Sequence, residues 1–326
     1  MREPGQTILE IRNISIAYPI TIGVVRAVEE VSLTLADGES LGLVGESGCG
    51  KSTLGLSILK LLRQPGRVTG GQVMYRGTDI LSMNERSLLA LRGQNIAMIF
   101  QNPLTSLNPL FTIERHFMET IHTHDHGMPR QKALAAVEKM LETLGIEKKR
   151  LREYPHQLSG GMRQRIMIGL ALIMNPDILI ADEPTTSLDV IVEAGFTELL
   201  ADLRRIYNLS IILITHNLGL VAEITDRIAV MYGGRLMELA STDDIFARPL
   251  HPYTRGLIDC VPNILLDQKE LVTMPGSPPD LVEPPAGCRF SPRCPKVMPV
   301  CKERAPGFLE HAPGHKAACW LYGEGK

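Results

Sequence analysis

One segment constrains this chain more than any other. Gly45-Glu46-Ser47-Gly48-Cys49-Gly50-Lys51-Ser52 follows the apolar run Ser40–Val44 and precedes the helix-like stretch Thr53–Leu62. A strand, a glycine-rich turn and a helix in that order fit the pattern G-x-x-x-x-G-K-[ST], whose backbone N–H groups turn toward a triphosphate. Lys51 is expected to reach the β- and γ-phosphates and Ser52 to give its hydroxyl to Mg²⁺, with Thr53 opening the helix behind them. A chance glycine-rich turn is the alternative, but it explains neither flank.

The flanks belong to a longer alternation. Ile8–Ala17 alternates apolar and polar residues, and short apolar runs recur at Ile96–Phe100, Ile178–Ala181 and Ile211–Ile214. Bounded runs of this length predict buried parallel strands, hence an α/β chain with a largely parallel sheet. Arg227–Tyr232 and Arg235–Ala240 flank Gly233-Gly234 and predict a β-hairpin. Leu104–Asn175 reads as a helical insertion: Arg130–Leu144 puts Ala133, Leu134, Val137, Met140, Leu141 and Leu144 on one face before Gly145, and Met162–Met174 forms a second helix.

The run Ile178–Ala181 ends in Asp182-Glu183. Asp182 is placed to hold Mg²⁺, directly or through water, and Glu183 to polarise an attacking water. A helix cap ahead of Pro184 is the plainer reading of the same dipeptide. Leu158-Ser159-Gly160-Gly161-Met162 begins another helix, a second anion site, with Gln101 upstream and His216 downstream.

On these motifs the chain resembles the ATPase subunits of ABC transporters, and the resemblance spans about Tyr18–His216. It implies that Tyr18 stacks on adenine, that Gly45–Ser52 is the phosphate loop and Gln101 the Q-loop, and that Leu158–Met162, with Ser159, Gly160 and Gly161 facing nucleotide, is the signature. It further implies strand carboxylates at Asp182-Glu183, a D-loop at Ser187-Leu188-Asp189 and the switch histidine at His216. ATP would then be sandwiched head to tail between the phosphate loop of one subunit and the signature of another, with Mg²⁺ on Ser52, Gln101 and Asp182, and with Glu183 and His216 catalytic. Met162, Asn217 and Cys49 depart from the family's usual residues, but none removes a group that handles phosphate or water.

Four of the six cysteines, Cys288, Cys294, Cys301 and Cys319, fall in the last 39 residues, and ten of the 22 prolines lie between Pro275 and Pro313. So proline-rich a tail cannot readily build a core of its own, which predicts that the thiols tie it down. In a reducing compartment four clustered thiols suggest metal, though the spacing lacks a zinc knuckle; an iron–sulfur cluster, zinc and unligated thiols all remain open. His251-Pro252-Tyr253-Thr254-Arg255-Gly256-Leu257 and Cys288-Arg289-Phe290-Ser291-Pro292-Arg293-Cys294-Pro295 resemble the C-terminal extension of dipeptide, oligopeptide and nickel importer ATPases. That resemblance implies a [4Fe–4S] cluster on the four cysteines. The expected fold is a P-loop NTPase of the ABC type, with an ATPase domain at 1–262, a helical subdomain at about 104–175 and a small irregular metal-cluster domain at 263–326. Cys260 reads as a buried filler, Cys49 as a small-residue filler, and His122, His124 and His126 as members of a solvated loop.

Thirty-four Lys and Arg against 36 Asp and Glu leave a net charge of −2, so no global basic field exists to hold nucleic acid. No secretory signal opens the chain, and no run approaches the roughly 18 apolar residues of a membrane span. By the resemblance the chain is a peripheral subunit on the cytoplasmic face of the inner membrane. Its implied partners are a second ATPase subunit in a heterodimer, two permeases and a substrate-binding protein. Peptides are the implied cargo, with nickel, glutathione or glycan fragments behind them. A non-transport ABC ATPase is the competing class, but such chains carry coiled-coil insertions or two ATPase units, and this one has neither. Leu104, Leu107, Leu110 and Phe111 could line a groove for a permease helix or simply pack.

Overall fold

The computed structural model describes residues 5–101, 107–185, 190–261 and 273–323. Backbone contacts divide the chain into two compact units. A helical unit comprises Met83–Ile212 with Asp37–Glu39; a sheet unit comprises Gln6–Ala36, Ser40–Ser82 and Leu213–Lys326.

The sheet unit opens with two 14-residue strands, β1 (Thr7–Ile20) and β2 (Gly23–Ala36), followed by β3 (Ser40–Val44), α1 (Lys51–Ile58), β4 (Arg67–Tyr75) and β5 (Thr78–Asp79). Strands β1, β2, β4 and β5 form an antiparallel sheet in the order β2-β1-β4-β5. This antiparallel sheet is an addition to the parallel strand pairing that the short apolar runs predict. Arg26, Glu29 and Glu30 break the apolar pattern of β2, and a sheet with one wet face shows alternation rather than runs.

In the helical unit, α2 (Glu85–Leu91), β6 (Ile96–Ile99), α3 (Ile113–His124), α4 (Arg130–Thr143), α5 (Gly160–Leu172), β7 (Ile178–Asp182) and α6 (Val190–Tyr207) follow one another. Strands β6 and β7 pair in parallel, as the short apolar runs predict. Helix α4 buries Ala133, Val137, Met140 and Leu141, and Gly145 follows it at φ 66. Gly169 of α5 packs against Leu144, Phe117 and Met140, so the three helices share one core.

Strand β8 (Ser210–Thr215) carries the chain from the helical unit into the sheet unit. There α7 (Leu218–Ile224), β9 (Arg227–Tyr232), β10 (Arg235–Ser241), α8 (Thr242–Ala247) and α9 (Pro252–Asp259) follow. Strand β9 runs parallel to β3 and forms the expected hairpin with β10. The tail adds α10 (Pro299–Glu303), β11 (Leu309–Ala312) and β12 (His315–Ala317). Strand β12 pairs with β10, and β11 with β12. The proline-rich segment thus has an anchor that its composition does not reveal: it borrows the edge of an existing sheet. Among the described residues no helix is long and apolar enough to cross a membrane.

Candidate active site

Strand β3 delivers the chain into the glycine-rich loop. Gly45 at φ 151 and Gly50 at φ 104 hold left-handed backbone; a Cβ would stand 2.1 Å from the Met231 carbonyl oxygen at the first and 2.2 Å from that of Ala27 at the second. Gly50 caps α1 without a side-chain hydrogen bond, and the first turn, with Lys51, Ser52 and Thr53, has no acidic residue. A helix start of this kind favours an anion. Lys51 is 4% exposed. Its Nζ donates to the carbonyl oxygens of Gly45 at 2.7 Å and Glu46 at 2.9 Å. Ser47 and Gly48 form the exposed crest. Cys49 is buried and its thiol is pushed up by burial, which Lys51 only partly offsets, in keeping with a packing role.

Tyr18 lies in β1 opposite Val25, its ring against the Gly66 backbone. His216 follows β8 and is exposed. Asn217 caps α7 by accepting from the N–H groups of Gly219 and Leu220, so this departure from the family residue has a structural use. Tyr18, Gly45–Thr53 and His216 belong to the sheet unit; Gln101, Ser159, Gly160, Gly161, Asp182 and Glu183 belong to the helical unit.

Asp182 closes β7 and is 4% exposed. Glu183 follows at φ 44, a left-handed conformation that costs a non-glycine residue roughly 1 kcal/mol or more. Gln101 Nε2 donates to Glu183 Oε2 at 2.7 Å. Gln164 Nε2 donates to the Pro184 carbonyl oxygen at 2.6 Å, which fixes the turn after the two carboxylates. Nothing local in the sequence marks Gln164 or the strained turn. Ser159 caps α5 by accepting from the Met162 N–H at 3.3 Å, and the Cα of Gly160 faces open space. The D-loop residues Ser187, Leu188 and Asp189 lie outside the described residues, as does Leu104. Leu107 is buried while Leu110 is 79% exposed, and the Arg115 guanidinium covers the Phe111 ring at 3.5 Å.

His122 and His124 are not in a loop: they occupy the last turn of α3, where the helix carbonyls favour positive charge. Partial burial lowers the pKa of His124. Cys260 is half-exposed rather than buried.

The four tail thiols share one neighbourhood. The Cys288 N–H donates to the Cys301 carbonyl oxygen at 2.8 Å. Burial, then charge on the other three thiols, pushes Cys288 up to about 11; burial does the same to Cys319, and raises Cys294. Yet among the described residues no three His, Cys, Asp or Glu side chains are gathered to hold a metal ion. The expected metal-cluster domain therefore finds no support in this geometry. Other contacts hold the tail. Arg289 pairs with Glu29, which also meets Arg235 at 3.2 Å. Arg293 meets Glu46 at 2.7 Å. Glu238, fully buried, accepts from the N–H groups of Leu250 at 2.7 Å and His251 at 2.8 Å, and lies 2.7 Å from His315 Nε2. Phe290 packs on Tyr232 and Tyr253, with both centroid distances 5.3 Å.

Comparison with known proteins agrees with this geometry. Residues 28–186 match the ABC transporter family model, and residues 237–301 match that of the oligopeptide/dipeptide transporter C-terminal region. The second match includes Cys288, Cys294 and Cys301 and stops before Cys319. The dipeptide transport ATP-binding protein DppD of Bacillus subtilis is 44% identical over 97% of this chain and 95% of its own length. The oligopeptide transport ATP-binding protein OppD of Salmonella typhimurium is 44% identical over 98% and 95%. Among solved structures, the ATP-binding cassette MJ0796 in a dimeric post-hydrolysis state with ADP and Pi superposes with a TM-score of 0.64 at 26% identity, covering 72% of this chain and 98% of that one.

Proposed function

The chain belongs to the ATP-binding proteins of ABC transporters for dipeptides and oligopeptides, and from that premise we propose how its residues energise peptide import. The activity is ATP hydrolysis coupled to transport. The observation that carries the residue assignment is the 2.7 Å hydrogen bond from Gln101 to Glu183. It ties a neutral amide, suited to metal or water, to the carboxylate best placed to take a proton.

In this reading the amides of Gly45–Ser52 and Thr53 bind the phosphates, Lys51 leaves its resting carbonyls for the β/γ-phosphates, and Tyr18 stacks on adenine. Mg²⁺, when bound, neutralises phosphate charge, and Ser52, Gln101 and Asp182 are the residues that would hold it. Glu183 accepts the proton of the attacking water and His216 orients both. Ser159, Gly160 and Gly161 present the start of α5 to nucleotide held by a partner ATPase subunit, which we take to be a different chain. Two permeases and a substrate-binding protein complete the assembly, with this chain peripheral at the cytoplasmic face of the membrane. Residues 1–262 act as the ATPase domain and 263–326 as the extension. A [4Fe–4S] cluster on Cys288, Cys294, Cys301 and Cys319 is supported only by the donor set, four free thiols close enough to act on one another's charge. Iron and sulfide analysis of an anaerobic preparation decides it, and a colourless, iron-free chain would rule it out.

Coupling is tested by reconstituting the chain with its cognate permeases. ATP turnover should rise when peptide-loaded binding protein is added. Turnover indifferent to permeases and binding protein would overturn the transport reading.

A further inference from the structure

Building on the ATP-binding reading, we propose that Arg293 of the C-terminal extension is a positioning residue for ATP: it neutralises and fixes Glu46, the acidic side chain of the phosphate loop. Both residues lie in the sheet unit. The guanidinium grips the carboxylate with two hydrogen bonds, Nη1 to Oε2 at 2.7 Å and Nη2 to Oε1 at 3.0 Å. Such a fork fixes orientation as well as charge.

Arg293 is itself held. Its side chain is 5% exposed. Nε donates to the Pro275 carbonyl oxygen at 2.8 Å, and Nη1 also to Tyr232 Oη at 3.2 Å. The main chain of Glu46 is pinned as well, since its N–H donates to Tyr253 Oη at 2.9 Å. The Glu46 carbonyl oxygen accepts from Lys51 Nζ at 2.9 Å. One residue thus carries a tail arginine on its side chain, a tyrosine of α9 on its amide and the phosphate-binding lysine on its carbonyl.

The consequence is electrostatic. Glu46 sits inside a loop built to attract a triphosphate, and its carboxylate opposes that purpose unless a cation is bound to it. Arg293 supplies the cation from 247 residues away in sequence. The extension therefore acts on the nucleotide site through a charge pair.

Equilibrium ATP binding to the full chain tests this. Arg293→Gln is expected to weaken ATP binding about tenfold, because an uncompensated carboxylate is left beside the anion site. Adding Glu46→Gln to that variant should bring affinity back to within about threefold of wild type, a recovery that a purely structural role would not produce. Arg293→Lys keeps the charge and serves where the glutamine variant does not fold; it should cost no more than about threefold. Binding by Arg293→Gln within twofold of wild type, no recovery in the double variant, or a tenfold loss with lysine would each overturn the charge argument and leave the ATP reading standing. Wild-type chain that bound no ATP would overturn the ATP reading, and this proposal with it.

Discussion

The phosphate loop and the C-terminal tail both run without long regular elements, yet they are ordered by opposite means. The loop is shaped by backbone: glycines at φ 151 and φ 104 pass where no side chain fits, and Lys51 lies on the loop's own carbonyls. The tail is shaped by side chains that reach into elements made long before it, namely Arg289 to Glu29, Arg293 to Glu46 and His315 to Glu238. Backbone geometry forgives no added atom. Side-chain anchors fail one at a time, each leaving a buried partner behind.

That contrast can be broken at either end. The largest effect is expected at Gly50→Ala, where a Cβ 2.2 Å from the Ala27 carbonyl oxygen meets backbone that cannot move aside. It should destabilise the chain by about 4 kcal/mol in denaturant titrations, and a near-neutral result would show the loop to be plastic. On the tail side, Glu238→Ala removes the acceptor for Leu250, His251 and His315 at once. About 3 kcal/mol should be lost, read in the same titrations, and a loss within error would show that the pairing of β12 with β10 holds the tail alone.

A pH scan sharpens the same point. His251 is 1% exposed and its Nδ1 accepts the Tyr253 N–H at 3.0 Å, so the folded chain keeps it neutral. Burial lowers its pKa from 6.5 to about 3. Between those values the unfolded chain binds a proton that the folded chain does not, so stability falls as pH drops through the window. The loss is about 2 kcal/mol at pH 5, and His251→Asn should flatten that limb. The smallest effect is expected on stripping metal. If charged and aromatic anchors hold the tail, chelation leaves its resistance to limited proteolysis unchanged, whereas rapid cleavage within Thr273–Gly323 would return the anchoring role to the thiols.

The two regions also differ in what the sequence discloses. The phosphate loop, β3, the β9–β10 hairpin and α4 are local patterns, and the structure repeats them to within a residue or two. The sheet of β1, β2, β4 and β5 is less legible because Arg26, Glu29 and Glu30 interrupt its apolar periodicity, and because pairing across distant strands leaves no local mark. At the candidate site the same division holds. Lys51, Asp182 and Glu183 stand out by motif, but the positive φ of Glu183 and the Gln164 bond behind it follow from packing. Arg293 reads locally as one more charge in a proline-rich stretch; only the fold reveals that its partner is Glu46.

All of this converges on ATP turnover at Glu183. Measured in the assembled transporter, Glu183→Gln should retain ATP binding while kcat falls by about 10²–10⁴, the usual worth of a general base. Turnover at the wild-type rate would contradict the account at its centre.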